Sequence, residues 1–342
     1  MRSIPTSNPL TRAFRCEDRS SVRAALISEL GRPPELVDRP EPSGEATYEI
    51  AAVSLNPVDV NVGAGRYFGG HPELPYVPGC EGVGRAPDGT RVYLFGAGLG
   101  LSRDGLLAER AAAPADLGIL LPDAVSDEVA ASCGIAGMAG WMPVAWRAPV
   151  RNDDSVLVLG ATSTVGLVAT QAAKLLGAKR VVAVGRNPER LKRAAELGAD
   201  ATVRLEEDDL VGAFKEAAGG NGPTYIVDTL WGAPAAAAIQ AAAPGWRLVQ
   251  IGQSAGAEAA LASAAIRGKM GELYGYTDFA VPKDEFREQY LQLVGHAAAG
   301  EIVFDNKTYP FERVAEAWER QANGANAKLV VTLTFSRLDP AE

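Results

Sequence analysis

The sequence contains few of the residues that form metal centres and disulfide frameworks. Its 342 residues include two histidines and three widely spaced cysteines, Cys16, Cys80 and Cys133. This spacing gives no disulfide framework and argues against a zinc cluster of the CxxC type. No run of about 18 or more apolar residues is present, so no membrane span is predicted. The polar first residues lack the apolar core of a secretory signal, and we expect a reduced, cytoplasmic protein.

The chain also lacks an excess of positive charge. Its formal net charge is −9 and its pI is about 5.0. These values argue against general binding to nucleic acid but leave room for a locally basic pocket. Hydrophobic residues make up 47% and charged residues 22% of the chain, as is usual in soluble globular proteins. At 342 residues the chain is long enough for two domains.

The distribution of strand and helix signals divides the chain. We expect a flexible arm at residues 1–20. Up to about residue 122, short strands alternate with glycine and proline turns, which predicts a β-rich region. The Ala-rich stretch Asp127–Arg147 has helical periodicity and is expected to bridge to the next region. Strands and helices then alternate, which predicts an α/β fold with a doubly wound, mostly parallel sheet.

The second half of the chain is organised around a strand–turn–helix unit. Ser155–Leu159 is a short apolar run, and a turn of small residues, Gly160–Gly166, leads into a helix with regular apolar spacing. Such a turn can hold a dinucleotide pyrophosphate, because backbone N–H groups and the helix dipole favour an anion there. The glycine fingerprint is degenerate, since Ala161 and Ser163 occupy its first two positions and only Gly166 is kept. An ordinary turn without a ligand is the alternative.

The end of the next strand indicates the kind of dinucleotide. Enzymes that prefer NAD place Asp or Glu there to accept a hydrogen bond from the ribose 2′-hydroxyl. This chain has Gly185-Arg186-Asn187, followed one turn later by Arg190. No carboxylate would repel a 2′-phosphate, and two guanidinium groups can pair with it. We therefore predict NADPH as the cofactor, with solvated surface arginines as the alternative interpretation.

Several further segments follow one another in a specific order over about residues 22–333. They are Ser54-Leu55-Asn56-Pro57-Val58-Asp59, Gly65-Arg66-Tyr67, Leu74-Pro75-Tyr76-Val77-Pro78-Gly79, Ala243-Pro244-Gly245-Trp246-Arg247-Leu248-Val249, Tyr309-Pro310-Phe311-Glu312 and Lys328-Leu329-Val330-Val331. In this order and spacing they resemble the medium-chain dehydrogenase/reductase superfamily, in particular its zinc-free quinone oxidoreductase branch.

The resemblance implies a division into domains and an assembly. A GroES-like β-rich catalytic domain would comprise residues 21–127 and 279–342. A Rossmann domain that binds NADPH, residues 128–278, would lie between these two parts. Members of the superfamily are frequently dimers joined edge to edge through the last strands of the nucleotide sheet. A homodimer with Leu273–Thr277 at its interface is therefore expected.

The resemblance also extends the set of expected cofactor contacts. The pyrophosphate is expected to contact Ser163, Thr164 and Val165, and the 2′-phosphate to contact Gly185, Arg186, Arg190 and Arg204. The nicotinamide is expected beside Ile251 and Gly252, and Asn326 is expected to close over the bound cofactor. Ser163 and Thr164 are expected to add hydroxyl donors where the fingerprint has glycine. Lys328 is expected either to close over the cofactor or to lie at the surface.

Zinc-dependent relatives hold their catalytic metal at positions that match Asn56, Cys80 and Cys133. An amide is a poor zinc ligand, and the two cysteines are interpreted as small buried residues, so no metal is expected. Without a Lewis acid, hydride addition to a quinone or an activated C=C bond is easier than alcohol oxidation. The resemblance implies Tyr67 as the hydrogen-bond donor or proton source. Asn56 can donate through its amide, and solvent is the alternative proton source.

We therefore expect an NADPH-dependent reductase whose partner is an apolar quinone or an α,β-unsaturated carbonyl compound, with a specialised biosynthetic reductase as one form of this activity. The alternatives are a zinc-type alcohol dehydrogenase and a protein that binds NADPH without catalysis. Neither nucleic acid nor membrane is expected as a partner. An apolar substrate cleft is expected to include Phe68, Met138, Trp141, Tyr276 and Phe279.

Overall fold

Two large β-sheets organise the part of the chain that the computed structural model describes, residues 21–43 and 46–333. The predicted flexible arm, residues 1–20, lies outside these ranges, as do residues 334–342 of the predicted catalytic domain.

The first half of the described chain is β-rich, as predicted. Strands β1 (Ser21–Leu26) and β2 (Glu35–Pro40) form an antiparallel pair. The following strands build most of a second sheet: β3 (Ala46–Leu55), β4 (Glu81–Arg85), β5 (Arg91–Phe95), β6 (Arg110–Ala113) and β7 (Ile119–Leu120). One short helix, α1 (Pro57–Gly63), follows β3 and begins with a proline, whose fixed φ suits the first helical position.

A buried helical segment connects the two large sheets, as predicted for this stretch. It consists of α2 (Asp127–Ser132), the π-helical turn Cys133–Gly137, α3 (Met138–Met142) and a second π-helical turn, Pro143–Arg147. The segment is long and apolar enough to cross a membrane, but 83% of its most apolar window is buried inside the protein. Its hydrophobicity is therefore accounted for by packing in the core.

The other large sheet, called the parallel sheet below, has six parallel strands in the order β10-β9-β8-β11-β12-β13. The strands are β8 (Ser155–Leu159), β9 (Arg180–Gly185), β10 (Ala201–Arg204), β11 (Tyr225–Asp228), β12 (Arg247–Gln250) and β13 (Glu272–Gly275). The helices between them are α4 (Thr164–Leu175), α5 (Pro188–Glu196), α6 (Leu210–Ala217), α7 (Gly232–Ala241) and α8 (Ser263–Arg267). The strand order reverses between β8 and β11, and such a point opens a ligand crevice at the carboxyl ends of the strands.

The last elements return to the β-rich half of the protein. They are α9 (Lys283–Ala298), β14 (Asn306–Pro310), α10 (Val314–Ala322) and β15 (Lys328–Thr332). β15 pairs antiparallel with β3 and parallel with β14, which completes a seven-stranded sheet. Residues from the beginning and the end of the described chain therefore share one sheet, with the parallel sheet built from the residues between them.

Candidate active site

The small-residue turn starts helix α4 with a side-chain cap. The Ser163 hydroxyl accepts a hydrogen bond from the Gly166 N–H at 3.1 Å and donates to the Gly160 carbonyl at 2.9 Å. A Cβ atom at Gly166 would lie 2.3 Å from the Gly160 carbonyl oxygen, so this glycine is needed for close packing. The N–H groups of Thr164 and Val165 have no acceptor among the described residues and remain available to an anion. The cap corrects the expectation that Ser163 adds a free hydroxyl donor.

Two arginines lie beside each other at the carboxyl ends of β9 and β10. Strand pairing sets Arg204 next to Gly185, the residue before Arg186. Both arginine side chains are exposed, and Arg204 has an ion pair with Glu206 at 3.4 Å. Arg186 has no ion pair within the described part of the chain. The structure thus brings Gly185, Arg186 and Arg204 together as the residue types that a 2′-phosphate site requires.

Arg190 is already paired. Its guanidinium group lies 2.7 Å from a carboxylate oxygen of Asp305 and donates to the Thr162 carbonyl at 3.2 Å. Arg193 binds the same Asp305 at 3.0 Å. Arg190 therefore anchors helix α5 to the segment before β14, and its predicted phosphate contact would have to share the guanidinium group with Asp305.

Ile251 and Gly252 lie where the sequence predicts the nicotinamide end of a cofactor. They follow β12, and their N–H groups donate to the Asp228 carbonyl at 2.8 and 3.4 Å. A Cβ atom at Gly252 would lie 2.7 Å from the Thr229 carbonyl oxygen, so the close approach of these loops requires glycine. Asn326 is exposed and makes no hydrogen bond with the described residues. Its predicted closure over the cofactor stays a prediction.

Asn56 belongs to a buried network centred on Glu81. Glu81 is fully buried, and a Cβ atom at Gly134 would lie 1.7 Å from its Oε2, so the kinked helical segment can approach it only through glycine. Five donors surround its carboxylate: the hydroxyls of Ser54 and of Tyr93 (2.6 Å), the Asn56 amide (2.7 Å), the Ile135 N–H (2.6 Å) and the Lys328 Nζ (3.5 Å).

The same network tests whether the predicted metal positions suit zinc. Asn56 Oδ1 is the atom that would ligate a metal, and it already accepts a hydrogen bond from Lys328 Nζ at 2.6 Å. Cys80 is buried, and its pKa is raised well above its ordinary value by burial and by Asp59, which favours the thiol over the thiolate. These residues do not fit a catalytic zinc ion.

Burial lowers the pKa of Lys328, which is only 3% exposed. The expectation that Lys328 lies at the surface is therefore wrong, and its closure over the cofactor stays a prediction.

Tyr67 lies outside this network. Its half-buried ring packs against Phe68 with 4.6 Å between centroids, and its hydroxyl has no hydrogen-bond partner among the described residues. Its pKa is raised, mainly by burial and then by the neighbouring Cys80. Phe68 itself is 95% exposed. The catalytic role of Tyr67 stays a prediction.

An apolar cavity of about 390 Å³ lies between the carboxyl end of β13 and the loop after β5. Its aromatic wall is formed by Phe95, Phe279 and Phe286, with ring centroids 4.8 Å (Phe95–Phe286) and 5.4 Å (Phe95–Phe279) apart. Cys80 and Asp278 also line it. Phe279 is thus placed as the sequence predicts, whereas Met138 and Trp141 are fully buried in the core.

Two buried carboxyl groups near the strand ends were missed by the sequence reasoning. Asp278 is 6% exposed, accepts a hydrogen bond from the Tyr276 hydroxyl at 2.6 Å, and has its pKa raised to about 8 by burial. Asp228 ends β11, and burial raises its pKa to about 6. Its Oδ2 is buried without a partner in the described chain. The missed signal is a carboxylate at or just beyond the carboxyl end of a parallel strand, where ligands bind.

Comparison with known proteins identifies the family. Residues 164–296 match the family model of zinc-binding dehydrogenases. Human quinone oxidoreductase is 26% identical over 326 residues, which cover 91% of this chain and 98% of that protein. A mycobacterial protein whose structure was determined with NADPH is 26% identical, has a TM-score of 0.77, and is matched over 91% of this chain and 100% of its own. The chain belongs to the quinone oxidoreductase-like branch of the medium-chain dehydrogenase/reductase superfamily.

One relative is much longer than this chain. A component of the phenolphthiocerol/phthiocerol polyketide synthase of Mycobacterium tuberculosis is 25% identical over 333 residues, which are 91% of this chain but only 15% of that protein.

The predicted fold class, a Rossmann sheet with a GroES-like β-rich part, is confirmed by the solved structures of the family. Other relatives, among them human quinone oxidoreductase, are matched over nearly their whole length and support an oxidoreductase of the quinone oxidoreductase type.

Proposed function

We propose that the protein is an NADPH-dependent reductase that delivers a hydride to a quinone or an α,β-unsaturated carbonyl compound without zinc. The observation that carries this proposal is the apolar, aromatic-walled cavity at the carboxyl end of the parallel sheet. Such a cavity suits a flat conjugated substrate and excludes water from the reacting atoms. The human relative that bears the name quinone oxidoreductase, matched over nearly its whole length, supports the same reaction class.

The residues around the nucleotide crevice fit NADPH. The free N–H groups of Thr164 and Val165 would hold the pyrophosphate at the positive end of helix α4. Arg186 and Arg204 would pair with the 2′-phosphate, and Ile251 and Gly252 would line the nicotinamide side. The mycobacterial relative with bound NADPH supports this choice. When bound, the reduced nicotinamide supplies the hydride, and the chain's own groups orient the substrate and provide a proton.

The reaction is tested with purified protein, NADPH or NADH, and a panel of quinones, enones and unsaturated thioesters. Thioesters are included because one relative is part of a polyketide synthase. We expect oxidation of NADPH with at least one conjugated acceptor. The absence of turnover with every acceptor would contradict the proposed function.

Cofactor selectivity is tested at Arg186. The Arg186→Asp variant replaces an exposed cation by the carboxylate that favours an unphosphorylated ribose. We expect its affinity for NADPH to fall by about tenfold or more relative to its affinity for NADH. Arg320→Asp makes the same charge change at an exposed position on α10 and is the matched control. Equal losses for both cofactors in Arg186→Asp would refute the 2′-phosphate role.

We also propose a homodimer formed through strand β13. This strand is at the edge of the parallel sheet, and its Leu273 is 45% exposed. An apolar residue on an open edge strand favours pairing with another chain. Leu273→Lys should shift the protein to the monomer in analytical ultracentrifugation. Leu36→Lys, at an exposed leucine of β2, should leave the assembly unchanged.

A further inference from the structure

Asp278 presents one occupied and one open oxygen at the apolar cavity. Its Oδ1 accepts the hydrogen bond from the Tyr276 hydroxyl at 2.6 Å. Its Oδ2 accepts from no donor among the described residues, and the side chain lines the cavity beside Phe95 and Phe286. A carboxyl group with a free oxygen in an apolar wall is costly unless it is neutral or meets a ligand.

The sheet register places Asp278 near the expected reaction centre. Gly275 of β13 is paired with Gln250 of β12, and the Tyr276 N–H donates to the Gln250 carbonyl at 3.0 Å. Tyr276 is therefore level with Ile251, and Asp278 follows two residues later, beyond the carboxyl end of β13. This is the edge of the sheet at which the nicotinamide end of the cofactor is expected.

The surroundings of Asp278 favour its protonated form at neutral pH. Burial is the main cause that raises its pKa to about 8, and Glu81 raises it further, while the Tyr276 hydrogen bond and Lys328 lower it. The remaining titratable groups that interact with Asp278 or share its cavity are Tyr93, Cys80, Lys283 and Arg287. Lys283 is paired with Asp116 at 2.7 Å, so its charge is partly compensated.

We propose that Asp278, as a neutral carboxylic acid, donates a hydrogen bond and then its proton to the carbonyl oxygen of the substrate in this cavity. The inference rests on the proposed function and adds its proton donor. The substrate gains a hydride, supplied by NADPH, at the β-carbon, and the electron pair of its C=C bond moves toward the carbonyl oxygen. The O–H bond of Asp278 breaks as the proton passes to that oxygen, which gives an enol and a carboxylate. Water returns a proton to Asp278, and the enol becomes the saturated ketone in solvent.

Binding without turnover tests the hydrogen bond separately from the reaction. The probe is benzylacetone, a saturated aromatic ketone, titrated calorimetrically into the NADP⁺-saturated protein. We expect wild-type affinity to fall by about tenfold between about pH 6 and about pH 9.5, because the carboxylate cannot donate. Asp278→Asn should bind the probe with little dependence on pH. Tyr276→Phe removes a donor that lowers the pKa of Asp278, so the weakening should move to higher pH.

Turnover of benzalacetone with NADPH tests the proton transfer. Asp278→Asn keeps the size of the side chain but has no acidic proton, and we expect kcat to fall by about tenfold or more. The alkaline decline of the wild-type rate should disappear in this variant. Thermal melting and NADP⁺ affinity establish that each variant is folded. If Asp278→Asn does not fold, the pH shift in Tyr276→Phe decides the matter.

The outcomes separate the two proposals. A wild-type protein that binds benzylacetone with the expected pH dependence but reduces no acceptor contradicts the proposed function and leaves the donor role of Asp278 in place. Turnover that is unaffected in Asp278→Asn but lost in Tyr67→Phe overturns the inference in favour of the tyrosine. Wild-type binding of the probe that is absent, or independent of pH, overturns it as well.

Discussion

Glu81 and Asp278 are both buried carboxyl groups, yet their hydrogen-bond partners differ greatly in number. Among the described residues, five donors from five positions surround Glu81, whereas one donor, the Tyr276 hydroxyl, reaches the Asp278 side chain. A carboxylate with both oxygens occupied is held in place and has no lone pair left for a substrate. A carboxyl group with one open oxygen on a cavity can take part in chemistry. The difference separates a carboxylate that joins the seven-stranded sheet to the helical connection from a carboxyl group that is available to a ligand.

The donors to Glu81 show what it joins. Ser54 and Asn56 come from the end of β3 and the residue after it, Tyr93 from β5, Ile135 from the helical connection and Lys328 from β15. Four separate parts of the chain thus meet at one carboxylate. Removing it would take one hydrogen bond from each of these buried polar groups, which is more costly than losing a single hydrogen bond.

The largest expected effect comes from Glu81→Leu. We expect the free energy of unfolding to fall by about 3–5 kcal/mol, because the variant leaves Lys328 buried without its ion-pair partner. Urea unfolding of the purified variant measures this loss. In the double variant Glu81→Leu/Lys328→Met the buried charge is absent, and part of the stability should return. If the single variant Glu81→Leu is as stable as wild type, Glu81 does not have the structural role that distinguishes it from Asp278.

Asp278 should instead make stability depend on pH. Its folded-state pKa is about 8, far above the ordinary value of 3.8 that it should have in the unfolded chain. Between these values the folded chain keeps the proton and the unfolded chain loses it, so stability falls as pH rises and stops falling above about pH 8. We expect wild type to lose on the order of 1 kcal/mol per pH unit relative to Asp278→Asn in this window.

Thermal or urea unfolding of both proteins across the window checks this difference. A wild-type protein whose stability tracks that of Asp278→Asn at every pH would show that Asp278 titrates normally. In that case Asp278 would be ionised at neutral pH and could not serve as a proton donor.

The sequence predicted the local elements well and the long-range site poorly. Strand β8 was predicted with its observed bounds, because a short apolar run followed by a turn of small residues is a local signal. The contact of Lys328 with Glu81 joins residues 247 positions apart, and no local pattern encodes it. Asp278 and Phe95 line one cavity although they are distant in the chain, so no local pattern encodes this arrangement either. Only the position of Asp278 just beyond a parallel strand was visible in advance.

The smallest expected effect, and the sharpest test of the comparison, uses a matched pair of tyrosines. Tyr93 donates to Glu81 and Tyr276 donates to Asp278, both at 2.6 Å and both buried. Tyr93→Phe removes a hydrogen bond to a carboxyl group in an ion pair and should cost about 1.5–3 kcal/mol. Tyr276→Phe removes one to a neutral acid and should cost about 0.5–1.5 kcal/mol at pH 6. Unfolding at about pH 9.5, where Asp278 is ionised, should bring the two losses closer together. Equal losses at both pH values would mean that Asp278 carries the same charge throughout, so the distinction between the two carboxyl groups would rest on the number of donors alone.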